Sequence, residues 1–226
     1  MTMTFTNGLV DSRFEHDSCG FGLIANLDDT PSHKLIKTAI TALARLTHRG
    51  AVAADGKTGD GCGLLIKSPE SFLRHIAAEQ NYNLAEIFSA GTVFLNQDSN
   101  VANKVKREIN SAIEHNGLTV AGWREVPVNP DACGELARQT MPRIEQVFVN
   151  AQTGMDHTAF NRQLFLARRR AEKRFYPIDP TAYVASLSAA TICYKGMVMP
   201  DVLPEFFVDL QDPRLETSVC VFHQRF

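Results

Sequence analysis

Residues 19–25 read Cys-Gly-Phe-Gly-Leu-Ile-Ala and follow the polar stretch Glu15-His-Asp-Ser18. The apolar run predicts a short β-strand over Gly20–Ala25, which starts immediately after Cys19. A cysteine acts as a nucleophile only as the thiolate, so it needs a base that removes the thiol proton. Cleavage of the chain before Cys19 would make its own α-amine that base, because an α-amine has a pKa of about 7.7–8.0. The alternative interpretation is a buried structural cysteine at the start of a strand.

Two polar segments further along carry candidate site residues. His48-Arg49-Gly50 follows a predicted helix, and an arginine there either binds a carboxylate or is an ordinary cation at a helix C-terminus. Residues 55–63 read Asp-Gly-Lys-Thr-Gly-Asp-Gly-Cys-Gly, which predicts a tight glycine-rich loop. This loop has only the end of a phosphate-binding motif, since Ala51 stands where the first glycine is needed. We therefore expect a structural or substrate-facing loop.

The last residues of the sequence read Phe222-His-Gln-Arg-Phe226. An arginine beside an aromatic ring, here Arg225 and Phe226, can hold the carboxylate of an amino acid. An ordinary arginine at the end of a strand is the alternative. His115-Asn-Gly117 predicts the closing turn of a helix.

Hydrophobic periodicity predicts four helices, over residues 32–46, 68–80, 99–115 and 156–175. Strands are predicted over residues 20–25, 64–67, 92–95, 118–126, 144–150, 182–187, 192–198, 205–210 and 218–223. A mixed order with consecutive strands late in the chain favours an α+β fold, in which helices cover antiparallel or mixed sheets. The sequence shows no linker, so we expect a single domain.

The composition excludes several classes of protein. The chain has 226 residues, of which 44% are hydrophobic and 21% charged, enough for a packed core and unlike a disordered chain. Its net charge is −2 and it has no polybasic run, which argues against nucleic-acid binding. No apolar run approaches the roughly 20 residues of a membrane span, and residues 1–18 lack the apolar centre of a signal peptide. Five widely spaced cysteines have no metal-binding spacing and fit a reducing cytoplasm.

Segments 19–25, 46–51 and 54–63 together resemble the start of the glutamate synthase large subunit. Residues 142–150, 164–170, 194–197 and 222–226 extend the resemblance, which covers nearly the whole chain from Asp17 onward. It implies an N-terminal-nucleophile hydrolase fold, an αββα four-layer sandwich of antiparallel sheets. By the same resemblance, residues 1–18 are a leader that is removed, and residues 19–226 are the N-terminal portion of a class II glutamine amidotransferase domain.

The resemblance also implies an activity and a set of site residues. After removal of the leader, the Cys19 thiolate attacks the side-chain amide of L-glutamine, ammonia leaves, and water releases glutamate from a glutamyl thioester. Arg49 matches the arginine that orders the nucleophile loop. Arg225 matches the arginine that pairs with the α-carboxylate of glutamine, and Phe226 occupies the aromatic position beside it. His223 matches a framework residue of that strand.

The match also departs from the family pattern. In the family, Ser-Thr-Asn follows the Arg-Phe pair. A later His-Asn-Gly-Glu motif supplies the oxyanion hole, and an aspartate further on holds the substrate amine. The sequence stops before them, within a predicted strand, so we expect an incomplete domain that is inactive by itself. His115-Asn-Gly117 has the letters of the oxyanion motif but precedes Arg225, so we reject it for that role.

Two alternatives stay open at this point. One is a non-catalytic, truncated product that binds glutamine or a partner subunit. The other is a papain-like hydrolase that pairs Cys19 with His48 or His223 and needs no leader removal.

Cofactors and partners follow from the resemblance alone. In the complete enzyme the ammonia aminates 2-oxoglutarate in a domain that holds FMN and an iron–sulfur cluster, and neither is expected in this segment. The implied partners are L-glutamine, the rest of the large subunit and a small NADPH-oxidising subunit, although ferredoxin is an equally open electron donor. We expect no metal site, no nucleic acid, no membrane association and a cytoplasmic location.

Overall fold

A computed structural model describes residues 19–225 of the chain. The proposed leader, residues 1–18, and the candidate site residue Phe226 lie outside the described residues. Within them, the strands are β1 (Gly20–Ala25), β2 (Cys62–Lys67), β3 (Phe88–Leu95), β4 (Thr119–Glu125), β5 (Arg143–Asn150), β6 (Tyr183–Val184), β7 (Thr191–Gly196) and β8 (Val219–Gln224). The α-helices are α1 (His33–Ala44), α2 (Glu70–Glu79), α3 (Ser99–His115), α4 (Glu135–Gln139), α5 (His157–Phe175) and α6 (Leu203–Phe206).

The first sheet has the strand order β1-β8-β2-β7, and every neighbouring pair in it is antiparallel. Its register places Gly20 opposite Gln224, Gln224 opposite Cys62, and Cys62 opposite Gly196. One end of each of the four strands therefore lies at the same edge of the sheet, which is the edge formed by the strand ends. Cys19 precedes β1 at this edge.

The second sheet has the strand order β4-β5-β3-β6 and is also antiparallel throughout. Helices α3 and α5 pack together on one of its faces, where they bury apolar residues of β3 and β5. The buried residues at this contact include Val93, Val147, Val105, Ile109, Phe160 and Leu164. The other face of the second sheet packs in a hydrophobic core that also contains residues of the first sheet.

Helix α1 covers one face of the first sheet, at β1 and β8. Its N-cap is Ser32, whose hydroxyl accepts a hydrogen bond from the Leu35 amide at 3.3 Å. On β1, alternate side chains point to the opposite face, where Phe21 and Leu23 are 76% and 64% exposed. The helices and two antiparallel sheets confirm the predicted α+β sandwich.

A buried polar cluster joins the two sheets. Arg124 of β4 forms an ion pair with Asp209, and its Nε donates to Gln146 Oε1 of β5 at 2.8 Å. The hydroxyl of Tyr194, on β7 of the first sheet, donates to Asp209 Oδ2 at 3.0 Å. Burial and the nearby Asp209 carboxylate raise the pKa of Tyr194, so its hydroxyl stays protonated and donates.

The predicted strand over residues 205–210 is wrong. The structure has the short helix α6 there, followed by a 3-10 turn over Val208–Gln211. Pro204 lies in the first turn of α6, where its fixed φ suits a helix and its missing N–H costs nothing. Asp209 follows in the 3-10 turn and is buried, where it is bonded to Arg124 and Tyr194.

Other elements were predicted with the correct type but with different bounds. The strand predicted over 92–95 starts four residues earlier, at Phe88, and the one predicted over 182–187 has only two residues in β6. Helix α3 and strand β1 have the predicted bounds. The five-residue helix α4 was not predicted.

Candidate active site at the edge of the first sheet

Cys19 lies one residue before β1, and its side chain is exposed. The register of β1 and β8 ends with Gly20 opposite Gln224, so Cys19 immediately precedes this pair and Arg225 immediately follows it. The predicted nucleophile and the predicted carboxylate-binding arginine therefore lie at the ends of neighbouring strands, at the same edge.

Arg49 lies near the same edge of the first sheet. It ends a 3-10 turn, Thr47–Arg49, that follows α1. A Cβ on Gly20 would lie 3.2 Å from Arg49 Cγ, so the arginine side chain lies against the backbone that follows Cys19. A side chain at position 20 would therefore need the Arg49 side chain to shift by a few tenths of an ångström.

Gln224 packs against Gly50, the residue that follows Arg49. A Cβ on Gly50 would lie only 2.2 Å from Gln224 Nε2, so a side chain at position 50 would force the Gln224 amide to move. The Gln224 side chain is fully buried, and neither of its polar atoms has a hydrogen-bond partner among residues 19–225. Sequence reasoning did not identify Gln224, because only the strand register reveals its position beside Gly20.

Arg225 leaves the sheet in a strained backbone conformation. Its φ is +95°, a value that side-chain-bearing residues rarely adopt and that is concentrated at functional sites. The Arg225 amide donates to Gly61 O at 2.8 Å, and its Nε lies 3.8 Å from Asp60 Oδ2. The guanidinium group thus lies beside the glycine-rich loop, with the side chain 45% exposed.

The glycine-rich loop folds back on itself as a small hairpin. The Ala53 amide donates to Thr58 O at 2.7 Å, and the Asp60 amide donates to Ala51 O at 3.1 Å. The loop leads directly into strand β2 and no helix follows it, so it lacks the geometry of a phosphate-binding loop.

The other end of this loop is attached to helix α4. Asp55 accepts hydrogen bonds from the Thr58 hydroxyl at 2.6 Å and from the Leu136 amide at 3.3 Å. Thr58 Oγ1 in turn accepts from the Ala137 amide at 3.2 Å. The Thr58 hydroxyl, followed by backbone amides, holds the pKa of the Asp55 carboxyl well below its usual range.

The histidines near the edge do not form a thiol–imidazole pair. Within residues 19–225, neither His48 nor His223 is hydrogen-bonded to Cys19; His48 Nδ1 instead lies 3.1 Å from Arg45 O. Burial, followed by the charge of Lys195, lowers the pKa of His223, so this imidazole is neutral near neutral pH. The papain-like alternative gains no support from this geometry.

The described residues contain no group of three or more His, Cys, Asp or Glu side chains that could hold a metal ion. None of the helices in residues 19–225 is long and apolar enough to cross a membrane.

Comparison with known proteins identifies the family. The model of the class II glutamine amidotransferases matches residues 19–226, and the chain belongs to this family. The large chain of the NADPH glutamate synthase of Bacillus subtilis is 37% identical over 225 residues, and that of Azospirillum brasilense is 39% identical over 215 residues. The chloroplastic/mitochondrial ferredoxin-dependent glutamate synthase 1 of Arabidopsis thaliana is 38% identical over 222 residues.

These alignments cover 94–99% of this chain and 14–15% of each relative. The chain thus spans a small part of the length of the curated relatives it matches.

Proposed function

We propose that this chain is the glutamine-hydrolysing part of a glutamate synthase large subunit. One observation carries the proposal. The family match begins at Cys19, and Cys19 is also the exposed thiol among the five cysteines of the chain. The names of the relatives, which are NADPH and ferredoxin-dependent glutamate synthases, support the larger assignment.

In the proposed reaction, removal of residues 1–18 frees the α-amine of Cys19. This amine takes the thiol proton, and the thiolate forms a bond to the side-chain amide carbon of glutamine. The proton then passes to the leaving nitrogen, the carbon–nitrogen bond breaks and ammonia departs. Water hydrolyses the resulting thioester, which releases glutamate and restores the thiol.

The remaining predicted residues bind and position. We propose that Arg225 pairs with the α-carboxylate of glutamine, because an arginine fork matches a carboxylate in geometry and charge. Phe226 would pack beside the substrate. Arg49, which lies against the backbone at Gly20, would hold the strand that carries the nucleophile.

The ammonia would aminate 2-oxoglutarate elsewhere in the same large subunit. FMN and an iron–sulfur cluster would serve that step, and residues 19–225 do not fit the cluster, since no three of their Cys, His, Asp or Glu side chains are grouped as metal ligands. The rest of the large subunit is therefore the proposed partner, with a small NADPH-oxidising subunit as a further one and the cytoplasm as the location.

Replacement of Cys19 tests the proposal in the complete protein. Cys19→Ala and Cys19→Ser should abolish glutamine-dependent glutamate formation and leave ammonia-dependent formation intact, because only the first needs the thiolate. Cys133→Ala, which removes a buried thiol, is the matched control and should retain both activities. Equal glutamine-dependent rates in Cys19→Ala and the parent would refute the assignment.

The mass of the active protein tests the amine as the base. The proposed mechanism requires a mass that lacks residues 1–18. An active protein that retains them would exclude the α-amine and bring the histidine-assisted alternative back.

A further inference from the structure

Asp60 connects the segment after Arg49 with the end of strand β8. Its amide donates to Ala51 O at 3.1 Å, and its Oδ2 accepts from the Ala51 amide at 2.9 Å, so the two residues are joined twice. The same Oδ2 lies 3.8 Å from Arg225 Nε. A single carboxylate oxygen thus contacts both the segment that follows one site arginine and the side chain of the other.

Arg225 follows strand β8, and Asp60 is a charged partner beside its side chain. Its backbone has turned out of the sheet at a φ of +95°, and its amide is bonded to Gly61, the neighbour of Asp60. An arginine side chain that is 45% exposed loses rotamer entropy when a ligand fixes it. A carboxylate held at Nε restricts this freedom before the ligand arrives.

The attraction between the two charges does not explain the contact by itself. Asp60 and Arg225 are 34% and 45% exposed, and ion pairs of this kind contribute little stability. At 3.8 Å the separation also exceeds hydrogen-bond distance. The contact therefore serves to orient the Arg225 side chain. Asp60 is held by Ala51, and its charge faces the Nε side of the guanidinium group.

We propose that Asp60 is a positioning residue, which holds the Arg225 guanidinium group in the orientation that receives the α-carboxylate of glutamine. This inference rests on the proposed function, which assigns that carboxylate to Arg225. It gives the second aspartate of the glycine-rich loop a role distinct from that of Asp55, whose carboxylate faces helix α4.

The test measures glutamine binding by calorimetry in the complete protein carrying Cys19→Ala, so that glutamine is not consumed. Asp60→Asn keeps an oxygen that can accept from the Ala51 amide and removes only the charge. We expect it to weaken glutamine binding about 5-fold, because the ligand must then fix the orientation of the Arg225 side chain itself. Asp55→Asn, a change of the same chemistry in the same loop, should leave glutamine binding unchanged.

A double-mutant cycle shows whether Asp60 acts through Arg225. If it does, Asp60→Asn has no further effect once Arg225→Gln is present. In the protein that retains Cys19, Asp60→Asn should raise KM for glutamine and leave kcat nearly unchanged, which general damage to the fold would not do. Hydrogen exchange across residues 51–61 checks that the loop keeps its structure.

The outcomes separate this inference from the proposed function. If Arg225→Gln weakens binding and Asp60→Asn does not, or if the two effects simply add, the positioning role is wrong and the proposed function stands. If Arg225→Gln leaves binding unchanged, the assignment of Arg225 in the proposed function is wrong, and the positioning role falls with it.

Discussion

The five thiols of this chain differ in what their surroundings allow. Cys19 is exposed, whereas the other four are buried. Burial raises the pKa of the Cys62 and Cys220 thiols to about 12, and that of the Cys133 and Cys193 thiols to about 11. A thiol reacts as its thiolate, so these four are unreactive near neutral pH.

We therefore expect iodoacetamide to modify Cys19 first in the folded protein. A time course at pH 8, read by mass spectrometry of the peptides, should show modification of Cys19 well before that of the buried thiols. In denaturant all five should react at similar rates, which is the control. Modification of Cys62 or Cys220 in the folded protein as fast as that of Cys19 would contradict the burial of these two thiols.

At this scale the sequence predicted residues that belong to a continuous motif. Cys19, Arg49 and Arg225 each stand in a short stretch whose composition is informative by itself, and the structure brings all three to one edge of a sheet. Asp60 and Gln224 could not be singled out, because each is defined by a contact with a segment distant in sequence, Arg225 for one and Gly50 for the other. The catalytic and binding roles of the predicted residues stay predictions.

Helix α4 shows how an element can depend on a side chain far away in sequence. Five residues are too few for a helix that is stable by itself in water. Its first free amides, at Leu136 and Ala137, are bonded to Asp55 and Thr58 of the glycine-rich loop. These bonds replace the N-cap that the helix lacks, since Gly134 has no side chain to provide one.

Removal of the Asp55 carboxylate should loosen α4. Asp55→Ala is expected to speed amide hydrogen exchange in residues 134–140 and to leave exchange in α3 unchanged, as measured by mass spectrometry. The wild-type contact should also depend on pH. Because folding lowers the pKa of Asp55 from 3.8, its contribution is fully present above that value and is lost as the pH falls through the lower, folded-state pKa. Unchanged exchange in α4 after Asp55→Ala would contradict the proposed dependence.

The sequence predicted elements well where local signals suffice. Helix α3 has an apolar stripe that ends before Asn116-Gly117, and β1 is an apolar run that follows a polar stretch, so both were predicted with their observed bounds. The segment over 205–210 was misassigned because its apolar letters resemble a strand. Its conformation is decided by Pro204 and by the burial of Asp209, and the second of these depends on partners elsewhere in the fold.

Sequence patterns could not predict how the two sheets join. Arg124 and Asp209 are 85 residues apart in sequence, and their side chains are only 6% and 4% exposed. A buried ion pair costs several kcal/mol of desolvation per charge and is maintained only with further hydrogen bonds, which Gln146 and Tyr194 supply here. Nothing local in the sequence marks these four residues as neighbours.

This cluster leads to a prediction for the molecule as a whole. Asp209→Ala leaves Arg124 charged, buried and without its carboxylate, which should destabilise the joint between the sheets by about 3–5 kcal/mol. Hydrogen exchange of β4 and β7 should report the loss in both sheets at once. The double variant Arg124→Met with Asp209→Ala removes both charges and should recover part of the lost protection, because it no longer leaves a buried guanidinium group without its carboxylate. If the double variant exchanges as fast as Asp209→Ala, the fault lies in packing around position 209, and the ion pair is not what joins the two sheets.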